Sequence, residues 1–529
     1  MMTVRAAWPV LILLWSFALL VGLVTRPLIP VDELRYTAVA WEMWQRGDFL
    51  VPYLNGQPYS HKPPLFFWLI HAGWWLAGVN EWTVRLVAPL LTLLSLWVTA
   101  NLAGKLWPDI RAVSRYSPWI MFSTVFLLAF FTWVQIDLLL VLCVVLACSG
   151  IASVARGSEY GWLVTGAALG LGVLAKGPVV LIHVLPLALL APVWKAAPPE
   201  RGWLRWYTGL FASVVMAAII ALAWALPAAE AGGEAYREAI FWGQTADRMV
   251  HSFAHAHPVW WYLPWLLLLF APWIWLPWIW QAVYRSWAQR DEGMRFCVTW
   301  LIAVLLLLTL VSGKQVKYLL PVLPAFALLL TRILANMQAR PVQQRPWVLA
   351  GLLAVIGLVG VVAPFMLDSA PWLNQVSPMW GGSLIVVAAL LVWLPPAMPL
   401  QYPQRMALLS VFAICVGEVG VLRVGAPAYA LQNASQVIAQ LQADGHAVAV
   451  QARYQGEFGF YGRLQQPLIQ LAPGTAAAWA VAHPDDYLVL AGRDLPTQRP
   501  EMIFTQAYRS RELAIIRGRA LIPYNGRHE

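Results

Sequence analysis

The sequence predicts an all-α polytopic membrane protein with a small α/β domain outside the bilayer at its C-terminal end. Of its 529 residues, 60% are hydrophobic, 11% are charged and 32 are tryptophan, leaving too few charges to cover a soluble surface. Apolar stretches of about 20 residues, the length that a bilayer core of about 30 Å requires, recur from residue 8 to residue 424. After residue 425 they give way to an amphipathic helical pattern and the β-like runs "HAVAV", "DYLVLAG" and "ELAIIRG", which mark a compact domain in water.

Thirteen spans follow from hydropathy, at about residues 8–25, 83–106, 117–134, 138–155, 161–176, 178–194, 207–227, 259–280, 296–313, 318–337, 347–367, 379–398 and 406–424. The first is a retained transmembrane helix rather than a cleaved signal, because its apolar run is long and no small-x-small site ends it. Arg5, Arg111, Arg115, Arg156, Lys195, Arg201, Arg205, Arg285, Arg290, Arg295, Arg340, Arg345 and Arg405 fall in alternate loops. The cytoplasmic bias of basic residues then starts the chain inside and ends it outside.

Pro63–Val79 would reverse every later loop if it crossed. It is short and carries His71 with Trp68, Trp74 and Trp75, so it is expected to lie in the outer interface. A second surface-lying helix is expected over Tyr36–Arg46. The expected domains are a membrane domain at 1–424, with its first outer loop at 26–82, and an outer domain at 425–529. The net charge of +10 comes from arginines beside the spans and gives nucleic acid no binding stripe. Cys143, Cys148, Cys297 and Cys415 sit in apolar segments without CxxC or metal-like spacing, as small core residues.

The remaining ionisable residues gather on the outer side. Asp32, Glu33 and Arg35 follow the first span in "VDELRY"; they either cap a helix or, because adjacent carboxylates at a membrane face are costly, belong to an active site. In "YSHKPP", Tyr59, His61 and Lys62 precede two prolines, which hold their predecessors extended and aim the Lys62 ammonium with little entropy left to lose. Asp137, two residues after Gln135, is either a solvated turn or part of a polar cavity shared with Asp32. Lys176, in "LAKGP", either snorkels to the headgroups or holds an anion.

Arg237, Arg248, His251, His255 and His257 share one outer loop. Without HExxH or a completing carboxylate, these histidines read as recognition surface rather than zinc ligands. Lys314, Lys317 and Tyr318 occupy the turn "KQVKYLLP". With Lys62, Arg248 and Tyr59 they form a set of donors on one face, as a lipid-borne phosphate needs.

Taken in order, "DELRY", "YSHKPP", Asp137, "LAKGP", Arg248 ahead of "HPVWWY", and "KQVKYLLP" resemble the GT-C class of membrane glycosyltransferases. More narrowly, they resemble the protein O-mannosyltransferase and aminoarabinose transferase (ArnT-like) superfamily, over about residues 26–325. The resemblance implies a GT-C fold and inverting transfer of a sugar from a polyprenyl phosphate on the extracytoplasmic face, without a nucleotide sugar. It implies that Lys62, Arg248 and Tyr318 hold the donor phosphate, with Tyr59 and Arg35 in support. Asp32 and Asp137 would be the catalytic pair where sugar and acceptor meet, with Glu33, His61, Lys176, Lys314 and Lys317 assisting. Relatives commonly carry an acidic residue where His61 stands. No cofactor is required; His61, His251 and His255 are the candidate ligands if a divalent metal is used.

The resemblance implies an undecaprenyl phosphate sugar as donor and lipid A or a related envelope glycolipid as acceptor, as for a 4-amino-4-deoxy-L-arabinose transferase-like enzyme, and leaves the sugar itself open. The expected setting is the bacterial inner membrane, with a monomer embedded in membrane lipid, its N-terminus cytoplasmic and its C-terminal domain periplasmic. One alternative is transfer to protein or another glycan. A lipid-linked sugar flippase is the alternative from another class; it should show repeated halves and polar residues at mid-membrane. A structural scaffold would leave the convergent basic residues without a role.

Overall fold

A computed structural model describes residues 4–243, 257–337, 341–366, 372–451, 454–492 and 502–521. The chain packs into two compact units, one of residues 1–23, 60–361 and 379–417, the other of residues 24–59, 362–378 and 418–529.

The first unit is the helical membrane body that the composition demands. Among the described residues, eight helical stretches of the chain are long and apolar enough to cross a membrane, from Ala7–Thr25 through Glu81–Leu106, Ile136–Ala155, Gly202–Gly232, Glu292–Leu310, Val316–Asn336 and Trp347–Met366 to Pro399–Ala443. Shorter apolar helices include Tyr160–Lys176, Val179–Leu189 and Pro378–Trp393. Three expected spans are broken, that at 178–194 into Val179–Leu189 and Ala191–Trp194 at Leu190. The 117–134 stretch is two helices, Arg111–Ser123 and Val125–Phe130, parted at an extended Thr124. The Val125 N–H donates instead to Ala271 O at 3.1 Å, which meets the requirement that backbone groups at membrane depth be paired within the protein. Pro272 and Pro277 break the 259–280 stretch into Tyr262–Leu269 and Pro277–Trp287.

Packing in this body relies on small residues. A Cβ on Gly150 would stand 2.5 Å from Gly161 O, and one on Gly161 would stand 2.3 Å from Gly150 O. The Ile136–Ala155 and Tyr160–Lys176 helices therefore meet backbone to backbone, a close approach open only to glycine. Arg85 is buried in the apolar body, yet its guanidinium donates to Gly22 O at 2.8 Å and Leu23 O at 2.9 Å. These are last-turn carbonyls of the first helix, which lack helical partners and carry the negative end of its dipole. Leu65–Ala77 has 13 residues, about 20 Å of helix, too short for a bilayer core. It buries Phe66, Phe67, Ile70 and Trp74 and exposes Trp75 and Leu76.

The second unit holds a five-stranded mixed sheet. Strands β3 (Val448–Val450), β4 (Ile469–Gln470) and β5 (Tyr487–Gly492) are parallel, while β6 (Met502–Tyr508) and β7 (Arg511–Arg517) form a hairpin that extends the sheet antiparallel to β5. The order is β4-β3-β5-β7-β6. Its core is Ala449, Leu488, Ala514 and Ile516, covered by Ala476 and Ala480 of the Ala476–Ala482 helix.

The Asp32–Arg46 helix, closed by Gly47 in the left-handed region at φ 66°, and the hairpin β1 (Tyr53–Leu54) and β2 (Gln57–Pro58) belong to this same unit. Asn55 at the hairpin tip exchanges two hydrogen bonds with the Leu468 backbone, 2.9 and 2.8 Å, and Trp41 Nε1 donates to Leu464 O at 3.0 Å. The first outer segment and the C-terminal chain are thus one folded body.

Candidate active site

In the membrane unit, the polar residues collect where helices end. Asp137 opens the Ile136–Ala155 helix and Lys176 closes the Tyr160–Lys176 helix. Side-chain exposure is 2% for Asp137 and 6% for Lys176, and the two form a salt bridge. Lys176 Nζ also lies 4.1 Å from the centroid of the Tyr318 ring, a cation–π contact. This burial rules out the solvated turn read for Asp137 and the snorkelling read for Lys176. The pair is buried, so removing one partner would strand a charge at a cost of about 3–5 kcal/mol.

Gln135 presents a buried Oε1 with no hydrogen-bond partner among the described residues. His183, on the Val179–Leu189 helix, is wholly buried with neither ring nitrogen bonded among the described residues, and it lies within the field of Lys176 and Asp137. Sequence reasoning passed over His183 because a lone histidine in an apolar run carries no spacing signal.

The 314–318 turn divides its residues between tasks. Lys314 is buried, and its ammonium donates to Val311 O at 2.6 Å and His257 O at 3.1 Å, so it ties the end of the Glu292–Leu310 helix to the segment before Val259. The Tyr262 hydroxyl donates to Gln315 O at 3.3 Å. Lys317, Tyr318 and Lys62 are half-buried, and His61 is exposed. Arg248, His251 and His255 lie outside the described residues. Among the described residues, no three His, Cys, Asp or Glu side chains converge in a way that could hold a metal ion.

In the second unit, the adjacent carboxylates have separate fates. Glu33 is buried against Arg26 at 2.6 Å and accepts the Ile29 N–H at 2.9 Å, which locks the turn entering the Asp32–Arg46 helix. Asp32 instead pairs with Arg35. The other terminal nitrogen of Arg35 donates to Gln455 Oε1 at 2.5 Å, so its guanidinium is held from two sides. Gln455 N–H in turn donates to Glu457 at 2.7 Å. Burial pushes the Glu457 carboxyl above its ordinary value, although backbone hydrogen bonds and the charges of Arg509 and Arg35 oppose this. Tyr59 is buried in the same unit. Gln455 was not foreseen because its partner Arg35 lies 420 positions earlier in the chain, nor was Glu457, which is bonded to Gln455.

Two crystal structures from Cupriavidus metallidurans share this fold. One is ArnT bound to undecaprenyl phosphate and the other is ArnT in the apo state. TM-scores are 0.76 and 0.73 at 21% and 20% identity, over 98% of this chain and 99% of theirs. Residues 61–224 match the family described as dolichyl-phosphate-mannose-protein mannosyltransferase. Fold and match define a multi-pass membrane glycosyltransferase of the GT-C class.

Curated relatives narrow the class. The undecaprenyl phosphate-alpha-4-amino-4-deoxy-L-arabinose arabinosyl transferase of Enterobacter sp. strain 638 is 30% identical over 72% of this chain and 70% of its own. Arabinosyl transferase 1 of Pseudomonas fluorescens strain Pf-5 is 31% identical over 68% and 66%. The chain belongs to this arabinosyl transferase family.

Proposed function

We propose that the protein transfers 4-amino-4-deoxy-L-arabinose from undecaprenyl phosphate to lipid A at the periplasmic face of the bacterial inner membrane. The observation that carries this reading is the 30% identity over 72% of the chain to a transferase of that name. The matched fold in a structure holding undecaprenyl phosphate supports it.

In the reaction, the bond between the anomeric carbon and the donor phosphate oxygen breaks. An acceptor oxygen bonds to the same carbon from the opposite face, and undecaprenyl phosphate leaves with the bond's electron pair. The main demand is to stabilise negative charge growing on that phosphate, which fixed cations do well at low dielectric. Lys62, Arg248 and Tyr318 take this role, with Tyr59 and Arg35 in support and Lys317 nearby in sequence. An acceptor phosphate is already ionised and needs no base. Asp32 and Asp137 then orient sugar and acceptor, and serve as general base only for a hydroxyl acceptor. Lys176, paired with Asp137, fixes the position of that carboxylate.

The family match at residues 61–224, whose description names a protein as acceptor, favours a second reading in which a protein is glycosylated. Mass spectrometry of lipid A from cells with and without the gene separates the two. The proposal requires an aminoarabinose-bearing species that disappears with the gene; identical lipid A profiles would reject it.

A further inference from the structure

The β6–β7 hairpin turns through Arg509 and Ser510. Two-residue hairpin turns favour Gly, Asn and Asp where φ is positive; here Arg509 holds φ 58°, with its N–H bound to Ala428 O at 2.7 Å. An arginine kept where its backbone is unfavourable points to a use for its side chain.

Arg509 lines a cleft of about 680 Å³ in the second unit, together with Arg511, Trp372, Gln375, Gln432 and Asn433, and its guanidinium lies 5.1 Å from the centroid of the Tyr508 ring. The volume is that of a small-ligand site. Trp372 packs its ring on Gly425, where a Cβ would stand 3.2 Å away, and its buried Nε1 has no hydrogen-bond partner among the described residues. Glu512 also contributes to the lining, so the two guanidinium groups leave a net positive charge.

The positions of the lining residues along the chain point to the source of the ligand. Trp372 follows the Trp347–Met366 span, Gln375 precedes the Pro378–Trp393 helix, and Val424 and Pro427 follow the apolar helix Tyr402–Gly417. The lining is therefore drawn from chain that has just left, or is about to enter, the membrane.

We infer that this cleft binds the phosphorylated sugar headgroup of a glycolipid, the acceptor of the transfer. Arg509 and Arg511 meet a phosphate with planar, charge-assisted donors; the side-chain amides meet hydroxyls and Trp372 meets a sugar ring. Arg509 and Arg35 both act on the charge of Glu457, and Gln455 links Glu457 to Arg35. The charge of Glu457 is thus felt both by a residue of the cleft and by the partner of Asp32. The assignment rests on the proposed lipid A acceptor.

The test uses full-length protein with Arg509→Asn and Arg511→Gln. Asparagine tolerates positive φ, so the hairpin is kept; Trp372→Leu, away from the turn, is the second variant. Initial rates against lipid A at saturating donor should show KM for lipid A raised about tenfold or more, as expected for lost charge-assisted bonds, with KM for the donor unchanged. Native mass spectrometry should show lipid A retained by wild type, and neither lipid A on the variants nor dephosphorylated lipid A on wild type. An unchanged KM for lipid A, or an equal rise for the donor, overturns the inference. If wild type transfers nothing to lipid A, the functional reading fails by itself; the cleft assignment then falls if variants and wild type retain lipid A equally.

Discussion

At the scale of single residues, burial sorts charges that look alike in sequence. Asp137 and Lys176 neutralise each other in the membrane unit, whereas the Lys314 ammonium is occupied by carbonyls. Asp137→Ala should destabilise the protein in detergent by about 3–5 kcal/mol, because it leaves a buried lysine. The double change Asp137→Leu with Lys176→Met should recover most of that stability but no transfer. Thermal unfolding and a transfer assay on the same samples check both halves.

Lys62→Ala should lower kcat by about 100-fold or more while the protein stays folded, as loss of a donor to the developing charge does. Wild-type turnover in that variant would remove Lys62 from the mechanism. Glu457 gives a pH prediction. Its carboxyl is raised by burial, so it binds a proton more readily folded than unfolded. Its contribution is complete at low pH and is lost as pH rises through the folded-state value. Glu457→Gln should therefore be more stable than wild type near neutrality, with the difference fading below about pH 4. Unfolding temperatures across that range decide it.

At the scale of elements, hydropathy located apolar segments well and their interruptions poorly. Extended Thr124 and the prolines at 272 and 277 break expected spans, and such breaks depend on which neighbour accepts the stranded backbone group, as Ala271 O does for Val125. The "DELRY" motif was legible as a polar cap ahead of a helix expected from Tyr36, but not as the first turn of the Asp32–Arg46 helix, nor in the division of Glu33 to Arg26 and Asp32 to Arg35. Gln455 was invisible because no local pattern marks a residue whose partner is Arg35. Gln455→Ala should reduce kcat/KM about tenfold, as the loss of a hydrogen bond to a charged group does. Gln455→Glu, which keeps an acceptor oxygen, should restore most of it. An Arg35→Ala background should abolish the effect of Gln455→Ala; additive losses would separate the two residues.

At the scale of the whole molecule, the composition specified a membrane protein and the order of polar motifs specified its class. Neither could show that residues 24–59 fold with residues 418–529. That union comes from long-range bonds such as those of the Asn55 side chain to the Leu468 backbone, which leave no periodic trace. It carries Arg35 and Asp32 on the same body as the headgroup cleft, and so gives the C-terminal chain a part in acceptor handling.

The group transferred and the acceptor that receives it define the enzyme. Purified protein should be given lipid A with a panel of undecaprenyl phosphate sugars, and the products weighed by mass spectrometry. Lipid A should gain the mass of 4-amino-4-deoxy-L-arabinose from that donor far faster than any other sugar, with undecaprenyl phosphate released in equal amount. Transfer of a different sugar in preference, or sugar gained by a protein acceptor while lipid A stays unmodified, would contradict it.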